Sequence, residues 1–283
     1  GCVVITSLLV LPSCDKRQID VQEPKLLEFE YFEKFGELHN EFLTNVKNNL
    51  QLDNEIRSLE ERINYIRDFQ NEFLSSCELP GSDKDLISYD LEKYKGLMNV
   101  EVTKRLVIPN RDQIKEEDTV SVFTLIEIAQ EENILDTFEL RILTQMSELA
   151  RMGFESSITD FQFVRALQKM KTDWISMGYL VDEDCGYVSG YALAISIASM
   201  EWWEENPDAG ILETKGTSIL IPAWAVADAV GAIWGATSGA IGSYVMNGEV
   251  KWGSVGFGAV SGAVAGSTGV VGKVAKWISK TIR

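Results

Sequence analysis

Along most of this chain, hydrophobic residues recur at spacings of three and four. Phe32, Phe35, Leu38, Phe42, Leu43 and Val46 form one apolar stripe, and Leu52, Ile56, Leu59, Ile63, Ile66 and Phe73 form a second. Glu55, Arg57, Glu60, Glu61, Arg62 and Arg67 fill the other faces of the second stretch. This is the pattern of amphipathic helices, and a break near Asp53 and Asn54 predicts an antiparallel helical hairpin. The pattern weakens from Leu79 to Asp118, where Pro80-Gly81-Ser82 and Pro109-Asn110 signal turns around a shorter helix at 83–97. Helical spacing resumes over Thr119–Glu132 and Ile134–Met152, with Gly153 placed as a C-cap. Ser157 or Thr159 can cap the next helix, which is expected to bury Phe161, Val164, Leu167, Met170 and Trp174 and to stop at Gly178. Tyr191–Glu204 is apolar on nearly every side and reads as the central helix of a bundle. No strand pair with hairpin chemistry is visible, so the expected fold is all-α, a multi-helix bundle.

The pattern changes after Gly210. Of 22 glycines, 12 lie between Gly231 and Gly272, and charge is absent from Ala229 to Gly248 and from Trp252 to Gly272. Asn247-Gly248-Glu249-Val250-Lys251 supplies a polar turn between these arms, so a Gly/Ala-rich helical hairpin is expected at the C-terminal end. Gly231, Gly235 and Gly239 recur every four residues, Ser243 continues the row, and Gly258, Gly262 and Gly266 repeat the step in the second arm. Residues four apart share a helix face, so each arm presents a groove without side chains that another backbone can enter. The arms are long enough to cross a hydrocarbon core of about 30 Å. Each interior glycine costs about 0.8–1 kcal/mol relative to alanine, so the second arm is not expected to stand as an isolated helix in water; against a resident span, neither arm is rich in Leu or Ile, and Asp228 would cost about 2.5–3.5 kcal/mol at a bilayer centre. Trp224, Trp234, Trp252 and Trp277 can anchor at lipid interfaces or fill a protein core. Lys273 and Lys276, with Lys280 and Arg283, place positive charge beyond the second arm.

Charge sharpens this division. The formal net charge is −17, but residues 1–210 hold 20 Lys/Arg against 40 Asp/Glu, whereas 211–283 hold 6 against 3. An acidic body of this kind argues against a nucleic-acid partner, whose phosphates require a basic surface.

At the amino end, Cys2–Leu11 is an uncharged apolar run of about the length of a secretory h-region and reads as the rear of a signal peptide. Leu11-Pro12-Ser13-Cys14 then resembles a bacterial lipobox, with Pro12 a departure from the usual small residue. The resemblance implies that Cys14 becomes a lipidated first residue holding the protein to a membrane; the competing reading is a buried β-prone segment. Cys77 and Cys185 would then be an even pair, able to form one disulfide outside the cytoplasm or to stay as two buried thiols. The resulting layout is a signal-peptide remnant at 1–13, a tether at 14–26, an acidic helical bundle at 27–209 and a glycine-zipper hairpin at 210–283.

Motifs for chemistry are sparse. His39 is the single histidine, which excludes a multi-histidine zinc site; Glu37 and Glu41 flank it, and a surface or capping histidine is the expected role. Asp182-Glu183-Asp184-Cys185-Gly186 starts like a calcium loop but lacks an oxygen ligand at its fifth position and a Glu at its twelfth, Leu193. No nucleophile elbow, phosphate loop, dinucleotide fingerprint or Cys-x-x-Cys occurs. No catalytic residue, metal or cofactor is expected.

The C-terminal segment resembles the Gly/Ala-rich segments of bacteriocin-type and other glycine-zipper membrane peptides. With Gly36-Glu37-Leu38-His39-Asn40-Glu41-Phe42 and Ser196-Ile197-Ala198-Ser199-Met200-Glu201-Trp202-Trp203, the chain is also similar to a poorly characterised group of bacterial exported proteins. Those resemblances imply a cell-envelope protein facing the periplasm or exterior. Its partners are membrane lipid through Cys14 and a second helix or copy through the glycine faces. Two expectations follow: a non-enzymatic, lipid-anchored protein whose hairpin associates with membranes, or an interaction module in which the hairpin is a close-packed part of the fold.

Overall fold

The computed structural model describes residues 25–52, 68–69, 72–73, 122–155, 157–181, 183–206 and 221–268. Seven helices occur there: α1 (Glu30–Leu52), α2 (Val122–Glu131), α3 (Thr137–Phe154), α4 (Asp160–Met177), α5 (Tyr187–Glu205), α6 (Ile221–Asn247) and α7 (Trp252–Thr268). Among the described residues there is no strand, and β pairing is limited to a bridge between Leu26 and Leu180. The protein is an all-α multi-helix bundle, as its periodicity predicts. Cys14, Cys77, Lys273, Lys276 and Trp277 lie outside the described residues, as does most of the expected second arm of the N-terminal hairpin. Of that arm, Phe69 and Phe73 pack on Phe42 of α1, with ring centroids 5.6 and 5.3 Å away.

Local chemistry sets the helix ends. Asp136 caps α3 by accepting the N–H groups of Phe138 and Glu139 at 2.6 and 2.7 Å. Thr159 opens α4 in a capping box with Gln162, and Gly178, at φ +65°, closes it. Gly153, expected as a cap, instead lies inside α3, which runs one residue further. Its missing side chain leaves room for Val226 of α6. Phe161 corrects a second expectation, because it is exposed while Phe163 is buried. The apolar face of α4 is therefore set by Phe163, Leu167, Met170 and Trp174, a run at spacings of four, three and four that the sequence offers equally well.

One core joins all seven helices. Its centre is α5 with α6 and α7, whose inward positions are largely alanine, glycine, valine and isoleucine. α5 is buried almost throughout, as its pattern requires. α1, α2, α3 and α4 cover this centre with their apolar faces. The N-terminal ends of α1, α3, α5 and α7 gather at one end of the bundle with the C-terminal ends of α4 and α6. Phe32 meets Tyr187 and Trp174 there, and Tyr187 stacks on Trp252 at 4.5 Å with planes 12° apart.

The two glycine rows face each other. A Cβ added to Gly231 would fall on the carbonyl oxygen of Gly262, one on Gly235 on that of Gly258, and one on Gly266 on that of Ala227. At Gly239 it would lie 3.0 Å from the Ser254 carbonyl oxygen. Each step of four forward on α6 matches four back on α7, so one antiparallel register repeats over four turns. Ser243, next in the row, ties the turn instead: its Oγ accepts the Lys251 N–H at 2.7 Å. Gly248 adopts φ +73° at the turn with open space where a Cβ would go.

This geometry separates two kinds of glycine. Gly235→Ala is expected to lower unfolding free energy by about 3 kcal/mol or more, because the added methyl meets rigid backbone. Gly248→Ala should cost about 1–2 kcal/mol, from backbone conformation alone. Urea midpoints of the two variants test this; equal losses would contradict the close-packed zipper.

Candidate functional site

Two buried polar centres stand out. The first forms where α1, α5 and α6 meet. Asp228, the acidic residue of α6, is fully buried, and its Oδ2 accepts Ser199 Oγ–H at 2.5 Å and the Trp203 indole N–H at 2.9 Å. His39 Nε2 lies 3.7 Å from the same oxygen. Asn40 donates its amide to the Ala198 carbonyl at 2.9 Å, which leaves Asn40 Oδ1 3.2 Å from His39 Nδ1. Burial lowers the His39 pKa, against the opposing pull of Asp228 and the Asn40 hydrogen bond.

The surface role expected for His39 is therefore overturned. Gly36 explains why: its missing Cβ lets α1 approach the Ala194 carbonyl and Ala198 of α5, and the following turn carries His39 inward. Glu37 and Glu41 are exposed, since neighbours two apart on a helix do not share its face.

Although Ser, His and Asp meet here, their order does not make a nucleophile. Ser199 donates straight to the carboxylate, and no imidazole stands between them to take its proton. The centre instead joins three helices through one acceptor. Comparison with family models, curated proteins and solved structures finds no match.

The second centre lies at the N-terminal end of α5. Gly186 precedes that helix at φ +85° and has no side chain to cap it. Glu139 of α3 takes this role from a distance: its Oε1 accepts the Ser189 N–H at 3.2 Å and Ser189 Oγ–H at 3.3 Å. A carboxylate at a helix N-terminus complements the dipole. Trp174 closes the site by donating its indole N–H to the Gly186 carbonyl at 3.0 Å and to Ser189 Oγ at 3.1 Å. Glu139 Oε2 has no hydrogen-bond partner, and burial pushes the acid up to about 7 despite the bonds that favour its charge. Burial, with Asp136 and Glu139 nearby, also pushes the Cys185 thiol up to about 12. This is the reverse of what a reactive cysteine needs. Cys185 forms no disulfide among the described residues.

The remaining candidates are dispersed. Trp224 stacks on Trp203 at 5.7 Å, Trp252 stacks on Tyr187 and donates to Asp184 Oδ1 at 3.1 Å, and Trp234 is half-buried against the core. Among the described residues no His/Cys/Asp/Glu group is arranged to hold a metal ion. The sequence offered one signal for the first centre, a lone Asp in an uncharged helix. It offered none for Glu139, which looks like any other acid of the body.

Each centre yields a stability prediction. Asp228→Ala leaves the Ser199 hydroxyl and Trp203 indole without their acceptor and should cost about 2–5 kcal/mol in urea unfolding. For Glu139, the folded value of about 7 lies above the ordinary 4.5. The folded state therefore binds more protons between these values, and stability should fall as pH rises from about 4.5 through 7, by on the order of 3 kcal/mol. His39 acts oppositely: its folded value is lowered, so its contribution is full above 6.5 and declines as pH falls. Glu139→Gln should remove the loss of stability on going from pH 5 to pH 8. An unchanged pH profile would contradict the assignment.

Proposed function

We propose that this chain is a non-enzymatic helical module, held at the bacterial cell envelope by acylated Cys14, in which the glycine hairpin is the permanent centre of the fold. One observation carries this reading: the glycine rows of α6 and α7 are occupied by each other, carbonyl against glycine, over four turns. Faces already filled from within are not available to a second copy or to lipid. The energetic direction agrees. Inserting the hairpin would break the Asp228 bonds to Ser199 and Trp203 and carry that carboxylate into hydrocarbon at about 2.5–3.5 kcal/mol. Among the described residues no helix is long and apolar enough to cross a membrane.

The reading separates anchoring from insertion, and experiment can do the same. The chain expressed with its leader should float with membranes, and its N-terminal peptide should carry acyl mass on Cys14; Cys14→Ser should lose the acyl mass and most of the flotation. Dye-loaded vesicles should stay sealed with either protein between pH 5 and pH 7.5. Dye release that persists in Cys14→Ser and is lost in Gly235→Leu would favour a membrane-inserting hairpin instead.

A further inference from the structure

The apolar side chains that the fold leaves in water are not scattered evenly. Among the described residues, Leu26, Ile175, Met177, Val181 and Val245 are exposed large hydrophobics at one end of the bundle, while Met152 and Phe161 lie at the other. Contacts run across that first end. Leu27 N–H donates to the Tyr179 carbonyl at 2.7 Å and Val181 N–H to that of Lys25 at 2.9 Å, which pins residues 25–27 beside the end of α4. Tyr187 donates to the Val181 carbonyl at 3.1 Å and stacks on half-buried Trp252, at the start of α7. Val245 sits in the last turn of α6, just before the hairpin turn.

The sequence adds direction. Cys14 stands eleven residues before Lys25, a tether of at most about 40 Å when fully extended. A lipid on Cys14 therefore keeps this end, more than any other part of the bundle, within reach of the bilayer. Trp252 supplies an amphipathic ring of the kind found at membrane interfaces, and Lys25 supplies a cation for headgroup phosphates, whereas Lys251 is ion-paired with Glu249. Glu183, Asp184 and Glu249 share this end and select against a strongly anionic surface.

We propose that the end formed by Leu26, Ile175, Met177, Val181 and Val245 is a membrane-resting surface that settles into the interface of a zwitterionic bilayer while the hairpin stays closed. It rests on the reading that Cys14 anchors the chain. The lipid would hold the protein near the membrane, and this surface would fix its orientation. A lipid tether sets the distance from the bilayer but leaves the orientation of the bundle free, so a protein-borne contact has a physical role.

The test uses the full chain as Cys14→Ser, so that lipidation cannot contribute, and flotation with phosphatidylethanolamine/phosphatidylcholine vesicles at millimolar lipid. Weak partition is expected, reduced about tenfold or more by Leu26→Glu with Met177→Glu and unchanged by Phe161→Glu at the opposite end. All three positions are exposed, and matched urea midpoints confirm that folding is intact. No partition of the parent, no loss in the double variant, or an equal loss in Phe161→Glu would each overturn the proposal. Acyl mass on Cys14 in the natural chain is read separately, so failure of the anchor is distinguishable from failure of this surface.

Discussion

The contact of backbone with backbone between α6 and α7 constrains everything around it. Carbonyl oxygens of one helix occupy the space where side chains of the other would begin, at Gly231, Gly235, Gly262 and Gly266. Such proximity gains dispersion contacts along four turns but supplies little side-chain area of its own. The stabilising burial must come from the outer faces of the pair. Those faces are apolar too, with Val226, Val230, Ile233, Val255, Val260 and Val264 all buried. A helix that is apolar all round requires cover. α5 provides most of it, and α1, α2 and α3 provide the remainder.

The same constraint explains the placement of charge. The described hairpin carries Asp228, Glu249 and Lys251, so it is close to neutral; the positive balance of 211–283 belongs chiefly to the lysines and arginine after Thr268. Among the described residues, the acids are exposed or half-buried apart from Glu139 of α3, which caps α5, and Asp228 of α6. Both buried acids lie where helices meet, and each accepts from the backbone or side chains of another helix. A buried carboxylate with several donors ties elements together, and its removal leaves those donors unmet.

Much of the fold was legible because periodicity is a local property. The stripe of α1, the featureless apolar surface of α5 and the four-residue step of the hairpin each follow from neighbours within a few turns. What periodicity cannot supply is the identity of the partner across the interface. The step of glycines announced two grooves, and only the three-dimensional register shows that they fill each other. His39 illustrates a second limit. Its helix has charged residues on both sides in sequence, and its inward direction depends on Gly36 meeting Ala198, more than 150 positions away. Phe161 and Phe163 show a third: two aromatics two apart cannot share a face, and the sequence does not choose between them. Glu139 was illegible because the donor it satisfies, at Ser189, becomes available only when Gly186 starts α5 without a cap of its own.

These features place the hairpin at the centre of the structure, the last part to open. Amide hydrogen exchange under native conditions measures this directly, because backbone groups open with free energies that range from fraying ends up to global unfolding. The expected result is that amides of Gly231–Gly239 and Gly258–Gly266 exchange among the slowest in the molecule, together with those of α5. Rapid exchange of those two segments while α1, α3 and α4 stay protected would contradict a closed glycine zipper as the core of this protein.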